Sequence, residues 1–185
     1  MKVMVISPHP DDETLGCGAT LLKHKKNKDR IYWLNVTKAS TDTGFSDEFV
    51  KKRDQEIKKV CKSYRFDGYY NLNFPTKFLD QVPISDLIDS FNIYINKIKP
   101  DKIFIPSNSD VHTDHKIVFS VCQNFAKSFR YPFIKKMLSY ETISETNFNF
   151  TNKNYFNPNV FEDVTFFLNK KISIMKIYKS EFKKH

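Results

Sequence analysis

Near its start the chain runs Met4-Val5-Ile6-Ser7-Pro8-His9-Pro10-Asp11-Asp12-Glu13, an apolar stretch that ends in two prolines, a histidine and three consecutive acids. Three neighbouring carboxylates repel one another unless something compensates them. A divalent cation would do so, and histidine and aspartate are ordinary ligands for one. The simpler alternative is that Asp11, Asp12 and Glu13 only charge the first turn of a helix. A second stretch, Ser109-Asp110-Val111-His112-Thr113-Asp114-His115, favours the cation. Three of the chain's five histidines fall in these two stretches. His9, Asp12 and either His112 or His115 would form a site of two histidines and one carboxylate with open positions, which suits zinc or ferrous iron. Spacing alone does not choose between His112 and His115.

Something must carry the two stretches to one place. Residues 2–6 and 102–105 are short apolar runs stopped by prolines, which predicts buried strands. Ligands gather beyond such strand ends in open α/β sheets. The rest of the chain alternates in the same way. Helices are expected over 14–26, from an N-cap at Ser46 to Tyr64, over 84–98, over 115–129 and over 168–182. Further strands are expected over 30–35, 69–72, 135–140 and 161–167. Segments 37–44 and 73–80 read as loops, and 145–159 as a long loop or hairpin. That alternation means an α/β fold with a mostly parallel sheet covered on both faces. On the helix ending at Tyr64, Arg53 shares the apolar stripe of Phe49, Ile57, Val60 and Tyr64. It therefore points inward, either to pair with Glu56 one turn along or to hold substrate oxygens. Gly16 and Gly18 do not make a G-x-G-x-x-G fingerprint, and the nearby acids would repel a dinucleotide phosphate.

Pro8-His9-Pro10-Asp11-Asp12-Glu13, followed about a hundred residues on by His112-Thr113-Asp114-His115, resembles the PIG-L/LmbE family of zinc-dependent de-N-acetylases. The resemblance extends to Arg53 with Glu56, Asn157-Pro158-Asn159, Asp163-Val164-Thr165, Lys171 and Tyr178-Lys179-Ser180-Glu181. It implies an LmbE-like, Rossmann-like three-layer sandwich and a single deacetylase domain over 1–185, apparently without the final section that relatives carry. It implies His9, Asp12 and His115 as ligands of zinc, with ferrous iron as the alternative. Asp11 then matches the general base, taking a proton from the attacking water and returning one to the departing amine. A protonated His112 would stabilise the oxyanion, held charged and oriented by Asp114. Asp114 could also serve as a helix N-cap. Arg53 matches the family's substrate-contacting arginine. The implied activity is removal of an N-acetyl group from an N-acetylglucosamine-like sugar of a glycoconjugate or its precursor. An amide on a thiol conjugate or another small acetamide is the nearer alternative, and a metal- or sugar-binding relative without turnover the more distant one.

Composition sets bounds on these readings. One domain suits 185 residues, long enough for a core without cross-links. Cys17, Cys61 and Cys122 are odd in number and widely spaced, so neither a disulfide framework nor a zinc knuckle is expected. A reducing cytoplasm fits, with no signal peptide and no transmembrane segment. The net charge of +9 is spread along the chain without a nucleic-acid recognition motif. It suits attraction of an anionic small substrate better than nucleic acid. By resemblance, a homo-oligomer is also open.

Overall fold

The computed structural model describes residues 1–150 and 155–181. Five strands, β1 (Lys2–Ser7), β2 (Arg30–Lys38), β3 (Gly68–Pro75), β4 (Lys102–Ile105) and β5 (Lys136–Ser139), form one sheet in the order β3-β2-β1-β4-β5. Every pairing is parallel, so the expected mostly parallel sheet is wholly so. The helices are α1 (Asp12–Lys26), α2 (Asp47–Tyr64), α3 (Ile84–Ile98), α4 (Thr113–Gln123) and α5 (Leu168–Met175).

The first strand is central because its sequence suits two apolar faces. Val3 and Val5 pack with Trp33, α1, α2 and α5, while Met4 and Ile6 pack with Leu34, α3 and α4. The period-two alternation of a strand makes this division. From β1 the chain builds outward through β2 to β3, then returns to the other side of β1 for β4 and β5. The order therefore reverses between β1 and β4, and their carboxyl ends flank a crevice.

Gly16 shows how closely this layer packs. A Cβ there would lie 2.2 Å from Cδ2 of Tyr140. The Tyr140 ring cannot simply swing away, because its hydroxyl donates to the Ile6 carbonyl at 2.9 Å. Gly16→Ala should therefore destabilise the fold by about 1–3 kcal/mol, the usual range for overpacking. Urea denaturation checks this, and an unchanged midpoint would show that the helix shifts freely.

Several elements differ from expectation. Residues 155–164 carry no regular structure and enter a 3-10 turn, Thr165–Phe167, so the strand over 161–167 is absent. Its apolar residues find no sheet to pack on: Phe161 is 81% and Phe166 90% exposed. The helix expected over 115–129 starts at Thr113 and ends at Gln123, followed by a 3-10 turn at Asn124–Ala126. Its N-cap is His112, whose Nδ1 accepts the Asp114 main-chain N–H, so Asp114 is not the cap. The closing helix ends at Met175, seven residues short of the expected 182. Of segment 145–159, the described residues 145–150 and 155–159 carry no helix or strand beyond a 3-10 turn at Thr146–Phe148; 151–154 and Phe182 lie outside the described residues. Strands β2 and β3 run longer than expected and contain a register shift between Asn35 and Thr37. Ser46 caps α2 as read, accepting the Phe49 N–H at 3.2 Å.

Candidate active site

Between β1 and α1 the chain turns through Pro8–Asp11. Thr37 of β2 pins this turn by donating its N–H at 3.1 Å and its hydroxyl at 2.8 Å to the Pro8 carbonyl. Asp11 has φ 129°, a strained conformation for a residue with a side chain. The His9 N–H donates to the Asp12 carboxylate at 2.8 Å and the Asp11 N–H to that of Glu13 at 2.9 Å. Asp12 and Glu13 thus do the ordinary work of first-turn acids, and this accounts for one face of the acidic run.

The other face meets α4 across the crevice. His9 Nδ1, Asp12 Oδ2 and His115 Nε2 form a triangle with sides of 3.5, 3.2 and 3.3 Å. The far nitrogen of each ring is taken by a carboxylate: His9 Nε2 by Asp114 at 2.9 Å and His115 Nδ1 by Asp110 at 2.8 Å. Thr146 in turn donates to Asp110. Rings that donate outward turn lone pairs inward, so three acceptors converge and a cation is the group that satisfies them. A tetrahedral ion with bonds of about 2.1 Å spaces its ligands about 3.4 Å apart, which matches the triangle. His9, Asp12 and His115 could therefore hold a metal, and the same three residues stand out as one potential metal group.

Electrostatics agree with that fit. Burial opposes charge on His9, yet bonds to Asp114 and Asp12 push it up to about 9. Burial likewise opposes charge on His115, and Asp12 and Asp110 raise it to about 10. Asp12 lies well below the usual carboxylate range despite its burial, held there by His115 and His9. Surroundings that favour positive charge so strongly on two imidazoles would also favour a divalent cation in their place. Asp11 is the contrast: burial and the neighbouring Asp12 charge raise its pKa well above normal.

His112 stands beside this group, its ring centroid 4.6 Å from that of His9. Burial and the charge of His9 lower its pKa to about 4, which favours a neutral ring over the imidazolium that the resemblance implies. With Nδ1 accepting the Asp114 N–H at 3.1 Å, the proton sits on Nε2, and the ring remains a donor. The Asp114 carboxylate turns elsewhere. It accepts from His9 Nε2 and from the main-chain N–H groups of Lys77 at 2.8 Å and Leu79 at 3.3 Å.

These groups open into a cavity of about 490 Å³ whose walls include His9, Asp11, Asp12, Arg53, His112 and His115. Arg53 is buried on the inward face of α2, as its position on the stripe suggested. It borders the cavity, and it lies 3.7 Å from Glu56 while its Nη1 donates to the Pro10 carbonyl at 2.6 Å. Its Nη2 pairs with Glu181. The Tyr178–Glu181 segment reaches this spot through buried anchors: the Tyr178 hydroxyl donates to Glu13 at 2.9 Å, and Ser180 donates to Glu56 through N–H and hydroxyl. Glu145 and Lys77 also line the cavity and were not read as site residues. Burial raises the Glu145 pKa. Asp110 carried a signal, five residues before His115 within the second motif; Thr146 and Lys77 carried none.

Comparison with known proteins places the chain in a family. The profile of the PIG-L family, GlcNAc-PI de-N-acetylase, matches residues 4–126. A probable N-acetyl-alpha-D-glucosaminyl L-malate deacetylase 2 of Bacillus subtilis is 28% identical over 122 residues, covering 61% of this chain and 55% of its own length. The chain thus spans little more than half of that relative. An N,N'-diacetylchitobiose deacetylase from Pyrococcus horikoshii, solved with an inhibitor, superposes with a TM-score of 0.76 at 21% identity, over 99% of this chain and 71% of that one. A conserved protein from Thermus thermophilus gives 0.77 at 22%, over 97% and 79%. At these identities the structures speak for the fold alone, an α/β sandwich, while the match over two thirds of the sequence speaks for descent. The chain belongs to the PIG-L, GlcNAc-PI de-N-acetylase, family.

Proposed function

We propose that this chain is a metal-dependent hydrolase that removes the N-acetyl group from an N-acetylglucosamine-like amino sugar, yielding acetate and the free amine. The observation that carries the reading is the convergence of three acceptors, His9 Nδ1, Asp12 Oδ2 and His115 Nε2, in one cavity with the Asp11 carboxylate, which has no hydrogen-bond partner among the described residues. Family membership and the deacetylase names of the relatives support it. Zinc suits the donor set, and ferrous iron suits it nearly as well.

A bound cation would supply Lewis acidity and lower the pKa of the water beside it. The chain's own residues do the rest. Asp11 takes the proton of the attacking water and returns one to the departing nitrogen, its place fixed by the strained turn. Neutral His112 donates its Nε2–H to the developing oxyanion, a contribution of roughly 3–4 kcal/mol for a well-placed donor. Asp114 and Asp110 hold the His9 and His115 rings in the required tautomers. Arg53 and its partner Glu181 present a donor and an acceptor toward sugar hydroxyls. Three free cysteines suit a reducing compartment, which we take to be the cytoplasm; among the described residues no helix is long and apolar enough to cross a membrane.

Amine release from a panel of N-acetylated sugars and simple acetamides, with zinc- or iron-loaded protein, tests the reading. Sugars should be cleaved in preference, and chelation should abolish the release. A folded, metal-loaded protein that frees no amine from any acetamide would end it.

A further inference from the structure

Two side-chain cations line the cavity, and the fold treats them oppositely. Arg53 is enclosed and neutralised. Its Nη1 donates to Pro10, its Nη2 pairs with Glu181 and its Nε lies 3.7 Å from Glu56, while the guanidinium lies 5.3 and 5.5 Å from the ring centres of Phe49 and Tyr178. A further anion arriving there would have to displace Glu181. Lys77 is the reverse case. Its ammonium meets no carboxylate among the described residues and rests 4.8 Å from the centre of the Phe45 ring.

The side chain is exposed, but the backbone that carries it is fixed. Lys77 has φ 73°, a conformation that costs a side-chain-bearing residue energy and that glycine would adopt freely. The Lys77 N–H is fixed to Asp114, the same carboxylate that orients His9. Phe45 stacks on Phe49 with centroids 4.9 Å apart, so an aromatic wall runs from the Lys77 side of the cavity to the Arg53 side. A sugar ring lying against that wall would bring a substituent under the lysine, whose ammonium pairs with no carboxylate among the described residues.

We propose that Lys77 is a specificity-determining residue, selecting N-acetylated amino sugars that carry an oxyanion, phosphate or carboxylate, on the part of the molecule away from the acetamide. The proposal rests on the hydrolase reading for the identity of the sugar, and on Lys77 alone for the charge. Arg53, already paired, reads hydroxyls and adds no preference for anions.

The test compares N-acetylglucosamine 1-phosphate, the N-acetylglucosaminide of glycolic acid and the neutral methyl N-acetylglucosaminide. Each is offered to metal-loaded wild type, Lys77→Gln and Lys77→Arg. Calorimetric affinity and amine release are measured for every pair, and the readout is the ratio of anionic to neutral. This ratio is insensitive to a general loss of activity. Wild type and Lys77→Arg should favour at least one anionic sugar by roughly tenfold, and Lys77→Gln should bring the ratio near one. Which anionic sugar is favoured decides between phosphate and carboxylate. A ratio near one in wild type overturns the proposal. So does a preference that survives Lys77→Gln, since the anion would then be held by the metal site or by Arg53. Lys77-dependent affinity without amine release from any sugar would sink the hydrolase reading and uphold Lys77. Amine release with no charge preference would do the opposite.

Discussion

Asp11→Asn should leave the metal bound and the fold intact while lowering kcat by about 10²–10⁴-fold, the range a positioned general base contributes. The substitution keeps the shape of the side chain and removes only its capacity to take a proton. No hydrogen bond is lost, because the Asp11 carboxylate has no hydrogen-bond partner among the described residues, and the main-chain bonds of the turn remain. Asparagine also tolerates positive φ better than most residues, so the strained backbone at 129° gives no reason for unfolding. Asparagine removes the charge that burial and Asp12 disfavour, and with it the repulsion on Asp12, which if anything favours Asp12 as a ligand. KM should move little, since the carboxylate meets the reacting water and not the sugar. Metal content, thermal stability and turnover measured together separate these effects. Wild-type turnover in a metal-replete variant would remove Asp11 from the mechanism. Loss of metal along with turnover would make it a ligand or a structural acid.

What the sequence made legible follows the range of the interactions involved. The strands around β1 and β4 were readable because an apolar run closed by proline is a local signal. The two motifs were readable because a metal site demands particular residue types close after those strands. Contacts fixed only by the tertiary fold were not. Asp114 sits between two histidines, and the natural expectation pairs it with His112. The turn into α4 sends its carboxylate to His9 instead, 105 residues away, and leaves its main-chain N–H to His112. The pKa of His112 is lowered for the same reason, since the Asp114 carboxylate is bonded elsewhere and burial prevails. The strand expected over 161–167 failed for a related reason. Its residue types favour a strand, but strand formation needs a partner edge, and composition cannot supply one. Arg53 was placed correctly on the inward stripe of α2. Its pairing with Glu181 was invisible, because it depends on where the chain travels after α5.

The second large effect concerns His115. His115→Ala should reduce bound metal from about one ion per chain to near none, because it removes one of three donors and leaves Asp12 without its closest imidazole, now 3.2 Å away. Asp110→Asn should be milder. It keeps the ligand but disturbs the bond at 2.8 Å that fixes its tautomer, and loss of such a partner typically weakens metal affinity by roughly 10–100-fold. Stability gives a readout independent of turnover. A metal present at about 100 times its Kd adds roughly 2.7 kcal/mol to a fold that binds it only when native. For a chain of this size that is a rise in Tm of about 5–10 °C. Wild type should show the rise on metal addition and lose it with chelator, Asp110→Asn should need more metal to reach it, and His115→Ala should not show it at any ordinary concentration. The comparison is made within each protein, with and without metal, so a baseline loss of stability in the alanine variant does not confuse it. If His115→Ala still gains stability from one bound ion, the ion sits elsewhere. The remaining candidate among the described residues is then the adjoining group of His9, His112 and Asp114.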